Sequence, residues 1–374
     1  MDSFVGSVGY FNAIIVFCLL VFVHELGHYL VARWAGVRVE TFSIGFGREI
    51  WGRTDKAGTR WKVSLIPLGG YVKMFGEGET LIERGESDGE ERERPLTEAE
   101  RAVSFAHKPL GKRAAVVAAG PVANFLFAIV ILAGLYMVHG KPVPTDFQEQ
   151  GVGSVREGSA ADRAGFQPGD RILSVDGRPI ETFEDLRQAV AESGGERLSF
   201  TIAREGERLT LNAAPEVRDS EAEEGGTGYL LGVTGPVARF ERQGPFGALA
   251  SGASETWRLT ALTLSAIGEI FYGDRSVDDM GGPVKIVQLS NDVAQLGLLS
   301  LISFMAVLSI NLGLLNLFPI PMLDGGHLAF YAVEAVRGRP IGERTQEVAF
   351  RIGLALLLAL MIFITINDVL SLPI

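Results

Sequence analysis

Four long apolar runs dominate the pattern of hydrophobic and polar positions along the chain. They lie at roughly residues 9–33, 114–138, 298–318 and 348–366. About 20 apolar residues in a helix cross the hydrocarbon core of a bilayer. Four such runs in one chain favour membrane spans over buried helices of a soluble protein. The pattern therefore predicts a multi-pass α-helical membrane protein with about four spans.

A shorter pattern follows the first apolar run. Polar and apolar residues alternate over 38–42 and again over 60–65, and Gly and Pro punctuate both stretches. Alternation with a period of two is typical of strands, and Gly and Pro mark the turns between them. The sequence predicts a β-hairpin region between the first and second spans.

The segment after the second span has the features of a small α+β domain. Residues 151–177 contain a short helix with a glycine stop, a Pro-Gly-Asp turn, an apolar strand and an Asp-Gly hairpin turn. A helix over 182–191 and paired strands over 198–211 are predicted next. This order resembles one PDZ domain, a fold that binds extended peptides by adding them to a sheet edge. Neither a second copy nor a clear carboxylate-binding glycine loop is recognisable.

Three further segments have a distinct composition. Residues 77–100 and 219–228 are rich in charge and are predicted to be linkers. Residues 248–271 have helical apolar spacing, which predicts a helix along the outer membrane face. A fifth span is the alternative, although it would carry Glu255, Arg258 and Glu269.

The composition supports a membrane protein and narrows its partners. The chain has 374 residues, of which 47% are hydrophobic, and its net charge of −11 argues against nucleic acid as a partner. The mean hydropathy is +0.23. The single Cys18 excludes a disulfide framework and a thiolate zinc cluster. Residues 1–4 lack the basic start of a signal peptide, so we expect the first apolar run to be retained as a span.

The distribution of basic residues predicts the orientation. Lys and Arg flank the spans within 35–113 and 319–347, whereas residues 139–295 hold 15 Lys and Arg against 25 Asp and Glu. Loops rich in Lys and Arg stay in the cytoplasm. We therefore expect 35–113 and 319–347 inside, and 139–295 and both termini outside.

The most informative motif is His24-Glu25-Leu26-Gly27-His28, which lies inside the first apolar run. Residues four apart share a face of a helix, so His24 and His28 can bind one zinc ion, with Glu25 as a general base. Ionisable residues at membrane depth are costly, which makes this motif a functional-site candidate. The predicted orientation puts it in the cytoplasmic half of the membrane.

A third zinc ligand must come from elsewhere in the chain. Pro319 and Pro321 prevent a regular helix just after the third span, and irregular backbone at membrane depth is tolerated where it lines a cavity. Asp324 follows and is the candidate ligand, with His327 as a rival and a helix-capping role as the alternative. Asn316 could donate a hydrogen bond to a substrate backbone or oxyanion, or simply satisfy helix carbonyls.

Together these motifs resemble the site-2 protease family of intramembrane zinc metalloproteases, and are similar to its bacterial branch, the regulator-of-sigma-E protease type. The HELGH residues look like the zinc-binding helix of the family, and residues 316–324 look like its Asn-Pro-Pro-Leu-Asp-Gly motif. Residues 42–47, 66–74 and 281–284 are also similar. The resemblance covers nearly the whole chain.

The resemblance implies an activity and its residues. It implies one Zn²⁺ bound by His24, His28 and Asp324, with Glu25 as the catalytic acid and base. The implied reaction is hydrolysis of peptide bonds within transmembrane segments of single-span substrates, such as anti-sigma factors or remnant signal peptides. The implied location is the bacterial inner membrane.

The resemblance also implies that the hairpin region is membrane-associated. An exposed strand edge could hold an unwound substrate by main-chain pairing, and an ordinary cytoplasmic hairpin is the alternative. The expected substrate-binding residues are Asn316, Pro319, Pro321, Gly45, Gly47, Gly69 and Gly70.

Seven segments are predicted. They are 1–35 with the HELGH span, 36–113 with the hairpin and charged linker, 114–140 with the second span, 141–217 with the PDZ domain, 218–295 with a linker and an amphipathic juxtamembrane helix, 296–347 with the third span and the Leu-Asp-Gly motif, and 348–374 with the fourth span.

Two other functions compete with proteolysis. One is a PDZ-bearing membrane adaptor whose metal site is only structural. The other is a metal transporter, which needs polar residues along several spans, whereas the second and fourth spans offer almost none.

Overall fold

The computed structural model describes residues 2–76, 96–143, 147–217, 229–235, 239–272 and 282–370. The chain divides into two compact units. One unit combines Met1–Tyr136 with Gly244–Ile374, and the other is Met137–Gln243. Residues 77–95 and 219–228 of the two predicted linkers, and Gly281, lie outside the described residues.

Four long helices of the first unit match the predicted spans. They are α1 (Asp2–Trp34), α3 (Leu110–Val138), α9 (Leu298–Asn316) and α11 (Glu343–Leu370). Their segments 14–34, 110–138, 298–316 and 344–368 are long and apolar enough to cross a membrane. The prediction of a multi-pass membrane protein is confirmed.

In the part of this unit that the structure describes there are four other helices, namely α2 (Glu98–Val103), α7 (Pro245–Tyr272), α8 (Pro283–Gln295) and α10 (Asp324–Arg337). Helix α2 shortens the predicted linker, because Thr97 and Glu100 form a capping box that starts it.

Helix α7 is the one predicted to lie along the membrane face. A Cβ at Gly252 would lie 2.7 Å from the carbonyl oxygen of Ile129 in α3. The Thr263 hydroxyl lies 3.1 Å from the Asn311 side-chain oxygen in α9. Helix α7 thus packs lengthwise against two spans, which its apolar spacing could not indicate.

Helices α1 and α3 approach each other closely. A Cβ at Gly27 would lie 2.3 Å from the carbonyl oxygen of Ala119 and 2.7 Å from the Cβ of Ala123. Small residues at such an interface let two membrane helices come into backbone contact. The HELGH segment is therefore seated directly on α3.

The predicted hairpin is confirmed as β1 (Val39–Thr54) and β2 (Arg60–Met74), which pair antiparallel. Phe42 lies opposite both Trp61 and Val72, so the first half of β1 lies between the two halves of β2. Phe42 and Val72 belong to a buried cluster that includes Ala32 of α1. The hairpin is thereby fixed to the end of the first span.

The bends of the hairpin depend on glycine. Gly45, Gly47 and Gly69 have φ values of 86°, 85° and 107°, which side-chain-bearing residues rarely adopt. The surrounding part of the hairpin exposes large apolar side chains, namely Phe46, Ile50, Trp51, Leu65 and Ile66. Such exposure fits a membrane-associated hairpin.

The second unit contains the elements predicted for 151–211. Its helices are α4 (Phe147–Gln150), α5 (Ala160–Ala164) and α6 (Phe183–Glu192). Its strands are β3 (Lys141–Val143), β4 (Arg171–Val175), β5 (Arg178–Pro179), β6 (Leu198–Arg204), β7 (Glu207–Ala213), β8 (Glu216–Val217), β9 (Tyr229–Leu230) and β10 (Arg239–Glu241). One sheet has the order β5-β4-β6-β7, and a buried core of Phe166, Ile172, Leu186 and Phe200 holds helices and sheet together.

Candidate metal centre

Helix α1 presents two imidazoles to the same point. The Nε2 atoms of His24 and His28 lie 3.2 Å apart, and each residue is 8% exposed. This is the arrangement that a spacing of four residues on a helix predicts. The ring nitrogens of the HELGH motif therefore converge inside the first span.

Asp324 completes a group of three. It is the first residue of α10 and follows the irregular segment 317–323, in which Met322 has a φ of 87°. Its Oδ2 atom lies 3.2 Å from His24 Nε2 and 3.4 Å from His28 Nε2. Among the described residues, these three side chains form the group that could hold a metal ion.

His327, the rival ligand, is not part of this group. Its ring packs against Phe350 of α11, with the centroids 5.3 Å apart. The His327 side chain, one turn after Asp324, therefore packs against α11.

The three residues fit a zinc ion. Asp324 Oδ2 is buried and makes no hydrogen bond, although it lies near two ring nitrogens. A Cβ at Gly120 of α3 would lie 2.3 Å from His28 Nε2 and 2.8 Å from His24 Nε2, so glycine keeps this side of the group open. Two imidazoles and one carboxylate with room for water match the donor set of catalytic zinc.

The other ring nitrogens also have partners, both on α3. His28 Nδ1 lies 2.9 Å from the Val116 carbonyl oxygen, and His24 Nδ1 lies 3.1 Å from the Asn124 side-chain amide. A histidine that binds metal through Nε2 keeps its proton on Nδ1 and donates it. The Asn124 oxygen, which is buried and has no hydrogen-bond partner, is the acceptor that His24 then needs. A half-turn of the amide brings it there.

Asn124 and Gly120 lie against the two imidazoles, and neither of them was predicted from the sequence. Asn124 is fully buried, and the Ser309 hydroxyl of α9 donates to its backbone carbonyl at 2.9 Å. The sequence could have indicated Asn124, because a single Asn in an apolar span is costly to bury and is a functional-site candidate, as a charged residue would be. Pro121 next to Gly120 is a second signal, since proline removes a backbone donor inside the helix.

Glu25 lies beside the hairpin. A Cβ at Gly70 would lie 2.9 Å from a side-chain carbon of Val21 and 3.1 Å from Glu25 Cγ. The Gly69-Gly70 bend of β2 is therefore packed onto α1 next to the metal-binding group. Gly45 lies on the neighbouring segment, where a Cβ would be 2.6 Å from the Ile66 carbonyl oxygen.

The remaining predicted residues lie at the end of α9. Asn316 donates through Nδ2 to the Leu312 carbonyl at 2.9 Å, which is the role of satisfying helix carbonyls that the sequence left open. Pro319 and Pro321 lie in the irregular segment 317–323, as predicted from their effect on helices. A Cβ at Gly353 of α11 would lie 2.6 Å from the Pro321 carbonyl oxygen, so the fourth span packs on this segment.

Comparison with known proteins identifies the family. The model of peptidase family M50 matches residues 12–360. A candidate zinc metalloprotease of Agrobacterium fabrum is 45% identical over 384 residues, covering 100% of both chains. Another, from Rhizobium meliloti, is 45% identical and covers 94% of this chain and 93% of its own. The regulator of sigma-E protease of Salmonella typhimurium is 32% identical over 95% of this chain and 97% of its own. The chain therefore belongs to peptidase family M50 and is a zinc metalloprotease, and its described residues include four helices suited to crossing a membrane.

Proposed function

We propose that the chain cuts peptide bonds within transmembrane segments of single-span proteins, with one zinc ion held by His24, His28 and Asp324. The observation that carries this proposal is the buried Asp324 oxygen, which lies between two imidazole nitrogens of a membrane-spanning helix and makes no hydrogen bond. Burying a carboxylate oxygen without a hydrogen bond costs free energy, which a bound cation would offset.

The chemistry then divides between the ion and Glu25. Zinc at this site would lower the pKa of water and polarise a substrate carbonyl. Glu25 follows His24 directly, accepts a proton from the attacking water and returns it to the leaving amine. The proton transfer needs no other titratable residue.

The hairpin supplies a binding edge for the substrate. A transmembrane helix hides its peptide bonds, so it must unwind before cleavage, and a strand edge can pair with the unwound backbone. Gly69 and Gly70 support this role because their bend lies beside Glu25. Gly45 and Gly47 would shape the same surface.

Besides the hairpin, the end of α9 would form a second wall of the proposed substrate site. Asn316 would turn its amide from the Leu312 carbonyl toward the substrate backbone, and Pro319 and Pro321 would keep segment 317–323 irregular. The proposed substrate therefore lies between the hairpin and this segment.

The relatives and the charge pattern suggest the setting. The Salmonella relative is named for regulation of sigma-E, so anti-sigma factors and remnant signal peptides are the proposed substrates. The proposed location is a bacterial inner membrane, with both termini outside and the zinc site in the cytoplasmic half. The proposed PDZ domain, 141–217, falls within the second compact unit and would act on the extracytoplasmic part of the substrate.

Replacement of Glu25 tests the mechanism. We expect Glu25→Gln to slow cleavage of a single-span model substrate by about 10²–10⁴-fold, the range for loss of a general base, while zinc stays bound. Fragments of the substrate in reconstituted membranes and the zinc content of the purified chain are the measurements. Glu347→Gln, at a partly exposed position on α11, is the matched control and should cleave normally. Normal cleavage by Glu25→Gln would refute the mechanism.

A further inference from the structure

One face of α10 runs from the metal centre to the opposite end of the helix. Asp324, Leu328 and Tyr331 recur at spacings of four and three residues, so they share that face. Leu328 and Tyr331 pack against a buried cluster that contains Val116 and Val117 of α3. The position of Asp324 therefore depends on how α10 is seated on α3.

An ion pair ends this contact. The Arg113 guanidinium of α3 donates to the Glu334 carboxylate of α10, and the two side chains are only 17% and 16% exposed. Arg113 is held at two further points. Its Nε donates to the Lys108 carbonyl at 3.2 Å, and its guanidinium carbon lies 4.9 Å from the Tyr331 ring centroid. These three contacts restrict the orientation of the guanidinium.

The same two helices meet again at the metal centre. Gly120 follows Arg113 by seven residues, about 10 Å along α3, and Glu334 follows Asp324 by ten residues, about 15 Å along α10. The helices run in opposite directions, with the ion pair at one end and the metal-binding group at the other. A rigid helix held at one end transmits its depth and rotation to the other.

The signs of the charges oppose the helix dipoles. Arg113 lies in the first turn of α3, where the helix end is positive, and Glu334 lies in the last turn of α10, where it is negative. Each charge therefore interacts unfavourably with the dipole of its own helix. The contact between the two charges offsets this cost.

We propose that Arg113 and Glu334 form a positioning clamp that sets the depth and rotation of α10 and so brings the Asp324 carboxylate to His24 and His28. Distances from a metal ion to its ligands stay within about 0.2 Å of their standard values, so a small slip of α10 would remove the third ligand. This inference rests on the proposed role of Asp324. Neither clamp residue contacts the metal-binding atoms.

Zinc affinity of the full chain, purified in detergent, tests the clamp. We expect Arg113→Gln and Glu334→Gln each to weaken zinc binding by about 10–100-fold, as outer-shell changes do, in competition with a chelator. The absorption spectrum of the Co²⁺-loaded chain should also lose the signature of three protein ligands. Arg351→Gln breaks an exposed ion pair on α11 and should keep wild-type affinity.

Charge reversal separates positioning from general stability. The double variant Arg113→Glu with Glu334→Arg suits both helix dipoles and should recover most of the affinity lost in Arg113→Glu alone. Arg113→Lys keeps the charge and should give an intermediate affinity.

Three outcomes overturn the clamp or its foundation. Unchanged affinity and Co²⁺ spectrum in both single variants refute it. Loss of zinc that tracks a lowered melting temperature of the chelator-treated chain, without recovery in the reversed pair, shows a merely structural contact and also refutes it. A wild-type chain that binds no zinc refutes the proposed metal centre itself, which is a different failure.

Discussion

Two aspartates, one in each unit, bury carboxylate oxygens in opposite surroundings. Asp170 is 1% exposed, and Arg204 grips both of its oxygens at 2.7 Å. The Gln167 N–H donates to it as well, at 2.8 Å. Asp324 has an equally concealed oxygen that makes no hydrogen bond and faces two imidazoles.

The difference separates a structural carboxylate from a ligand. A buried charge in a folded protein is paired and hydrogen-bonded, and Asp170 meets that requirement from its own chain. Asp324 Oδ2 makes no hydrogen bond, and its two neighbours are imidazole nitrogens that would bind a cation together with it. Burial of a carboxylate oxygen alone therefore does not distinguish a structural aspartate from a metal ligand. The hydrogen-bond partners of that oxygen make the distinction.

Replacing each aspartate by asparagine should give opposite results. Asp324→Asn should weaken zinc binding by more than about 100-fold, beyond the range of outer-shell changes, and leave the metal-free fold intact. Asp170→Asn should keep zinc and destabilise the second unit by about 3 kcal/mol, because Arg204 loses its countercharge. Zinc stoichiometry and hydrogen exchange of 147–217 are the measurements. Retention of zinc by Asp324→Asn would remove the distinction.

Filling the space beside the imidazoles sharpens the comparison. Gly120→Ala places a methyl group where the three donors converge and should lower zinc affinity by about 10–100-fold without altering any ligand. Gly134→Ala, on the same helix, meets no atom within 4 Å and should bind zinc normally. The two variants are compared by chelator competition. Equal affinities would show that Gly120 does not border the ion.

A third aspartate, Asp185 on the surface, is expected to give the smallest effect, which is a pH-dependent change in the stability of α6. The backbone N–H and hydroxyl of Thr182, with the N–H of Glu181, hold the pKa of Asp185 below its ordinary value. Its stabilising charge is therefore fully present above the unfolded pKa of about 4 and is lost as pH falls through the lower folded pKa. Exchange of amides in α6 should accelerate below about pH 4 in the wild type, and less so in Asp185→Asn. An identical pH response would contradict this assignment.

The sequence predicted the parts of the site that repeat at a fixed spacing. His24 and His28 follow the helical period, and the hairpin strands follow the alternating period. Segment 317–323 was predicted to be irregular because proline cannot continue a helix. These features depend on local backbone geometry, which can be predicted from the residues of a single segment.

The parts that were missed depend on contacts between distant helices. Asn124 and Gly120 are isolated residues in an apolar run, and only the seating of α3 on α1 brings them to the imidazoles. The same limit explains α7, because its helical apolar spacing predicts a helix but does not identify α3 and α9 as the helices on which it packs. Local sequence also fails to distinguish Asp170 from Asp324, since glycine neighbours both.

Gly27 gives the HELGH motif a second role. The His and Glu side chains of the motif serve metal binding and catalysis, whereas the missing side chain of Gly27 sets the distance between two spans. An alanine there would wedge α1 off α3 and draw both rings away from Val116 and Asn124, with every ligand still present. The motif therefore determines the spacing between α1 and α3 as well as the metal ligands.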